Sequence, residues 1–555
     1  PVKSNTTEDY KYDDNGNLII DRNKDIFKSI ATGITYQYPG GPPITTYSNN
    51  EPGIIYNFLN LPQTINIAKF EGGPYTGNYP SKGTINYIYD ASGNKLEKVV
   101  NEIGQPEKKT TYIGGFIYEN NDLKFFAQEE GRIRVIPNTQ TPNTYDFVYD
   151  YFVKDHLGNV RAVLTEEQKQ DNYPAATMET AASSIEEKFY TNIPQTRTDK
   201  PVGYPTDNTT NPNDKVAKVN GNGNKIGPSI ILKVMAGDQF NVKVSSWYKT
   251  QGATPNSPIN PLPDLVSALI NSISGASALG SNHGVVDPTE LANTNVINPT
   301  ATSFLNNVDN NSNSTKPRAY LNWILVDEQF KLVSSSSGFE QVGDNEEFKL
   351  HVKNNMPIDK NGYLYVYVSN STPNIDVFFD NLQITHIKGP LLEETHYYPF
   401  GLVMQGISSK AAGMVENKKK FNSYELNTDF DLNWNESFYR THDPQLGRFL
   451  QIDPKPSYDE SPFAAMGNNP IKYNDFLGDK YKLNGSDDDK QVYLEYLHHL
   501  TGNTYNLNKK GEIVRVNKKL NTKTTDKVSG RLSKLVDKAI RSKETITMNL
   551  RNDEK

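Results

Sequence analysis

The chain contains no cysteine, which excludes disulfides, thiolate metal centres and thiol nucleophiles together. That absence leaves the compartment open: a chain that cannot misoxidise suits export, and many cytosolic chains read the same way. No apolar run approaches the eighteen or so residues that a membrane span requires, and Pro1-Val2-Lys3 does not begin a signal peptide. Methionine and tryptophan are scarce, 7 and 3 residues, whereas tyrosine and phenylalanine number 33 and 23. Tyrosine suits strands with one apolar face whose phenol tips still meet water, so this skew predicts β structure. A formal charge of -7 gives no basic excess, which argues against a general nucleic-acid surface. At 555 residues the chain exceeds one hydrophobic core and predicts three or four domains.

Tyr12-Asp13-Asp14-Asn15-Gly16-Asn17 is echoed by Tyr89-Asp90-Ala91-Ser92-Gly93-Asn94, giving Y-D-x-x-G-N twice. Each copy reads as a strand ending in an Asx-type turn, with Asp capping backbone N–H groups and Gly at positive φ. Ile54 to Pro62 repeats the aromatic strand with a proline-stopped turn, and Asp155-His156-Leu157-Gly158-Asn159-Val160-Arg161 follows. Such a pattern predicts a repetitive antiparallel sheet whose strands need neighbours to cover their faces. These copies, above all the D-H-L-G-N-V-R string, resemble the YD repeats of Rhs proteins. The resemblance implies a mainly β fold in which a spiralling β-sheet shell surrounds a hollow, here over 1–169. Because Tyr10 onward already lies inside a repeat, further chain is expected before Pro1.

From about 170 the turn rhythm gives way to a stretch rich in Asn, Pro, Thr and Ser, with 201–214 expected as an exposed loop. Alternation in 229–248, 319–326, 348–352, 362–369 and 375–387 predicts an inserted two-sheet β-sandwich over 170–389. Leu265, Ala268, Leu269 and Ser272 predict a short helix with Asp264 as N-cap, and 306–315 reads as a loop. The strand Val377 to Ile384 resembles the last strand of carbohydrate-binding jelly rolls. That resemblance makes Trp247 and Tyr248, with Tyr365 and Tyr367, candidates for a glycan platform, although aromatic residues in a sandwich are more often core. Asp380 could ligate calcium, but no D-x-D-x-D-G loop accompanies it, and neither a metal nor a cofactor is expected.

After the insert come His396-Tyr397-Tyr398-Pro399-Phe400-Gly401, Phe438-Tyr439-Arg440-Thr441-His442-Asp443-Pro444-Gln445-Leu446-Gly447-Arg448-Phe449, Asp453-Pro454 and Asn468-Asn469-Pro470. This ordered series resembles the Rhs repeat-associated core, here over 390–478. In several members of that family, two aspartates in D-P-x-G-x18-D-P-x-G form an aspartyl autoprotease that cuts just beyond the second motif. The resemblance places Asp453 and Asp475, 22 positions apart, in those catalytic places, with the cut between Gly478 and Asp479, and Arg448, if close, would favour the charged form of one of them. Two carboxylates forced together share one proton, so one acts as acid and the other activates water. Pro456 stands where the first motif has Gly, Phe476 where the second has Pro, and Asp479 where Leu is usual. The alternative is that both aspartates cap turns.

Beyond Gly478, lysine and arginine outnumber aspartate and glutamate in a chain that is acidic overall. Spacing of Val492, Tyr496 and Leu500, and of Val528, Leu532, Leu535, Val536 and Ala539, predicts two helices. Ile513 to Val516 and 545–550 read as strands, so 479–555 is expected as the start of a small α+β domain. By resemblance it is the variable toxin-type domain. His498-His499 lack an H-E-x-x-H context and point to different sides of a helix, so they are poor joint ligands.

The leading expectation is therefore a secreted or cell-surface Rhs-type toxin carrier. Its partners would be its own C-terminal domain, a cognate immunity protein and a secretion machinery, type IX by the Bacteroidetes-like resemblance. The rival is a cell-surface adhesin whose insert binds glycans.

Overall fold

The computed structural model describes residues 8–36, 43–69, 71–73, 76–78, 80–138, 140–207, 209–277, 297–456 and 460–478. Past 478 it describes 482–483, 494, 504–507 and 513–515, where Ile513–Arg515 pairs with Tyr505–Leu507. The helices expected after 490, the 545–550 strand, His498, His499 and Asp479 lie outside the described residues. The protein is mainly β. It divides into two compact units, one built from 1–161, 397–403 and 417–555, the other from 162–396 and 404–416.

In the first unit a meander runs through Ile54–Tyr56, Pro62–Ala68, Ser81–Tyr89, Lys95–Glu102, Lys108–Ile113, Phe116–Glu119, Asp122–Gln128, Gly131–Pro137 and Tyr145–Lys154. Neighbours in this order are hydrogen-bonded. Three turns of this unit are chemically the same. Asp13 accepts from the backbone and side-chain amides of Asn17 at 2.7 and 3.0 Å, Asp90 from those of Asn94 at 2.9 and 2.7 Å, and Asp155 from those of Asn159 at 3.0 and 2.9 Å. Gly16, Gly93 and Gly158 sit at φ +79, +90 and +82°, a region that glycine enters without a Cβ penalty. At Asn57 to Leu61 an asparagine replaces the aspartate, and Leu61 N–H donates to Asn57 Oδ1 at 3.0 Å.

One face of this meander buries Ile65, Ile85, Tyr87 and Val100 against Leu432, Trp434 and Leu450 of the later segment. Trp434 is fully buried, and its indole N–H donates to Asp443 Oδ2 at 3.1 Å. Lys24 pairs with the same oxygen at 2.7 Å. The later segment forms its own small sheet from Glu425–Asn427, Trp434–Glu436, Thr441–Asp443 and Arg448–Phe449.

The second unit is a sandwich. One sheet orders Arg197–Asp199, Lys215–Val219, Val377–Ile387, Gln239–Tyr248 and Lys349–Pro357, and the other orders Ile226–Val234, Gly362–Asn370, Ala319–Asp327 and Gly338–Gln341. Strand Ala319–Asp327 is buried on both faces, and its period of two explains how. Leu321, Trp323 and Leu325 fill the core between the sheets, while Tyr320, Ile324 and Val326 face helices Leu262–Ser277 and Ile297–Asn311.

Two local expectations need correcting. The region 306–315, read as a loop, is helical up to Asn311, because Ile297, Ala301, Phe304 and Val308 make one buried stripe whose packing overrides weak asparagine propensity. Asp264 lies within the first turn of its helix and is not the cap. Asn260 Oδ1 instead accepts from Leu262 N–H at 3.0 Å, and Asp264 pairs with Lys225 at 3.0 Å.

Candidate functional site

The short turn Ser437 to Arg440 precedes strand Thr441–Asp443 and closes on itself. Ser437 Oγ accepts from Arg440 N–H at 3.1 Å and donates to Arg440 C=O at 2.6 Å. That closure sends the Arg440 side chain inward, where it is 2% exposed, its guanidinium 3.7 Å from the ring centroid of Phe449. Phe449 points in because its neighbour points out. In a strand successive side chains alternate, so Arg448, the expected guanidinium, is exposed.

Arg440 takes the position beside the carboxylates. Its Nη2 lies 2.9 Å from Asp453 Oδ2 and 3.1 Å from Asp475 Oδ2. Its Nε donates to the carbonyl oxygen of Gly478, and Nη1 donates to Pro462 C=O at 3.3 Å. The two aspartates thus meet on one nitrogen. Each also binds its own turn: Lys455 N–H donates to Asp453 Oδ1 at 2.7 Å and Gly478 N–H to Asp475 Oδ1 at 2.8 Å. Convergence and turn capping coexist. Asp475 is fully enclosed, whereas the Asp453 side chain keeps 18% exposure.

A guanidinium between two carboxylates offsets their mutual repulsion. Proximity alone therefore does not impose a shared proton on this pair. Gly478 sits at φ +77°, and a Cβ there would fall 2.1 Å from Ser437 Oγ. Glycine is thus demanded by both backbone and neighbour.

A cavity of about 60 Å³ adjoins Arg440, lined also by Lys95, Glu436, Ser437 and Thr441. Lys95 pairs with Glu436 and, at 3.2 Å, with Glu425. Tyr87 donates to Glu436 at 2.6 Å and Tyr112 to Glu425 at 2.7 Å. Burial works to raise the Glu436 carboxyl, but the Lys95 and Lys98 ammoniums outweigh it and hold the group below its ordinary range.

The aromatic candidates of the sandwich lie in its packing. Trp247 and Tyr248 are 2% and 3% exposed. Trp247 sits with Val216 and Phe378, and Tyr248 lies between the sheets with its hydroxyl on Gly343 C=O at 3.3 Å. Tyr365 and Tyr367 stack 4.9 Å apart under the helices. None of the four presents a face to a glycan. Asp380 is buried, with Lys200 Nζ at 3.7 Å. Burial pushes its carboxyl up to about 8 despite the lowering effect of Lys200. Among the described residues no group of three or more His, Cys, Asp or Glu side chains could hold a metal ion, and no helix is long and apolar enough to cross a membrane.

No family model and no curated protein matches the chain. Among solved structures it is similar to the crystal structure of TcdB2-TccC3-Cdc42, at 13% identity and a TM-score of 0.14, over 85% of this chain and 20% of that one. It is also similar to the insecticidal delta-endotoxin Cry8Ea1 from Bacillus thuringiensis, at 11% identity and a TM-score of 0.15, over 65% of this chain and 52% of that one. A third similarity is to the Gx strain of infectious bursal disease virus, at 9% identity and a TM-score of 0.16, over 66% and 65%. The chain thus spans about a fifth of the first relative and about half of the second. TM-scores this low establish no shared architecture.

Proposed function

We propose that this chain is a secreted Rhs-type toxin carrier whose core segment cuts its own backbone after Gly478, releasing the C-terminal domain as an effector. The observation that carries the reading is the Arg440 junction, where one guanidinium binds both aspartates and the carbonyl oxygen of Gly478. That carbonyl belongs to the peptide bond at which the core resemblance places the cut.

Each group has a chemical task in such a hydrolysis. Asp475 Oδ1 accepts from the Gly478 N–H, in the peptide unit before the scissile one, and so holds Gly478 in its turn. Asp453, the more exposed carboxylate, takes a proton from a water that attacks the Gly478 carbonyl carbon. Negative charge develops on the Gly478 oxygen, where Arg440 already donates a charged hydrogen bond. The C–N bond then breaks, the proton passes from Asp453 to the departing amine of Asp479, and Gly478 is left as a carboxylic acid that gives its own proton to the amine. Arg440 takes over the electrophilic part that a shared proton would play.

In this reading the described β-rich units serve as carrier, and an immunity protein would neutralise the released domain. Intact-mass spectrometry of the purified full chain tests the cut. A fragment beginning at Asp479, absent from both Asp453→Asn and Asp475→Asn, is expected. A wild-type chain that stays whole after prolonged incubation would overturn self-cleavage.

A further inference from the structure

In the sandwich unit a cavity of about 390 Å³ opens where helices Leu262–Ser277 and Ile297–Asn311 lie on the outer face of the second sheet. Its lining includes Ile226, Leu265, Leu305, Val308 and Tyr367 together with Lys225, Arg318 and Asp309. The volume falls within the range of small-molecule sites, which combine apolar walls with a few convergent polar groups.

The charges in the lining select the ligand. Lys225 and Arg318 both line the space, whereas Asp264, the partner of Lys225 at 3.0 Å, does not. Asp309 is the acid that does, and its hold on Arg318 is loose. Arg318 Nη1 lies 3.8 Å from Asp309 Oδ1 and 3.4 Å from its carbonyl oxygen, both beyond good hydrogen-bond length. A guanidinium has five donors, so the fork can accept a better-placed anion. The Lys225 and Arg318 side chains are 16% and 20% exposed, and water screens charges so enclosed less than it screens surface charges.

We propose that this cavity binds a small amphipathic carboxylate, with the apolar tail against Leu265, Leu305, Val308 and Tyr367 and the carboxylate on Arg318. Each cation has an acid beside it, Asp264 at 3.0 Å from Lys225 and Asp309 at 3.8 Å from Arg318, and the ligand carboxylate takes Arg318 from the looser of the two pairs. This site is independent of any cut at Gly478.

The test is titration of the full chain with octanoate, followed by calorimetry, beside 1-octanol and acetate as controls that lack the charge and the tail. Octanoate should bind saturably and at least tenfold more tightly than either control. Arg318→Gln should weaken it at least tenfold, and Leu305→Trp should abolish binding by filling the cavity. Equal binding of octanoate and 1-octanol, or an affinity unchanged in Arg318→Gln, would overturn the proposal, as would the absence of saturable binding. Should Leu305→Trp fail to fold, the three-ligand comparison on the unaltered chain still decides.

Discussion

Arg440 donates from Nε to the carbonyl oxygen of Gly478, which ties the last described turn of the core to the residue that immediately precedes strand Thr441–Asp443. The same planar group reaches Asp453 and Asp475 from Nη2. Only a rigid fork of donors can face a carbonyl along one edge and two carboxylates along another.

Arg440→Lys keeps the charge but replaces the fork by a single ammonium, which cannot reach all three acceptors. Cleavage after Gly478 should slow at least about 100-fold, the scale of losing one oxyanion donor. Arg440→Gln removes the charge as well and takes the buried guanidinium away from Asp475, a loss of about 3–5 kcal/mol. Fragment yield by mass spectrometry and melting temperature separate the two effects. Cleavage by Arg440→Lys at the wild-type rate would remove Arg440 from the mechanism.

At Gly478 two costs coincide. An alanine would pay about 1–2 kcal/mol for the left-handed backbone and would also collide with Ser437 Oγ, 2.1 Å from its Cβ position. The collision can be relieved independently of the backbone term. Ser437→Ala with Gly478→Ala should therefore recover part of the melting temperature lost in Gly478→Ala alone. No recovery would mean that the steric contact is not what the glycine serves.

Much of the chain was legible where structure is set locally. The Asp13, Asp90 and Asp155 turns need only an aspartate, a glycine and an asparagine at fixed offsets, because every bond that closes them lies within five residues. Sandwich strands were legible for a similar reason, since Phe240, Val242 and Val244 alternate against polar neighbours. Helix Ile297–Asn311 was missed because its polar face is mostly asparagine and threonine, although Ile297, Ala301, Phe304 and Val308 carried the helical spacing. Trp247 and Tyr248 could not be assigned to core or surface, because a strand pattern says which residues share a face but not what covers it. Arg440 was hidden for a different reason. Its partners come from three separated turns, and neighbourhood in the motif favoured Arg448, whose outward direction follows only once Phe449 is known to be buried.

The meander contains a buried charge cluster that sequence reasoning did not single out. Arg132 and Arg134 bind Asp150 through Nε at 2.9 and 2.7 Å, and the three side chains are 2%, 4% and 0% exposed. Breaking such a cluster from one side strands the remaining charges. Asp150→Ala should cost about 3–5 kcal/mol, seen as a lower melting temperature and faster proteolysis, whereas Val153→Ser on the exposed face should stay within about 0.5 kcal/mol. Similar melting of the two variants would show that solvent reaches the cluster.

Asp380 gives the sandwich a pH dependence whose sign can be worked out. Burial lifts its carboxyl in the folded protein from 3.8 to about 8, with Lys200 opposing. Between those values the unfolded chain has released the proton while the folded chain still holds it. The folded state thus binds more protons, so stability falls as pH rises from about 4 to about 8 and levels off above. Asp380→Asn cannot ionise and occupies nearly the same volume. Its melting temperature should exceed that of the wild type by a margin that grows from pH 5 to pH 8, and little difference should remain near pH 4. A margin that shrinks toward pH 8 would mean that the ionised carboxylate is stabilised by Lys200 more than burial penalises it, the reverse of the balance inferred for this pair.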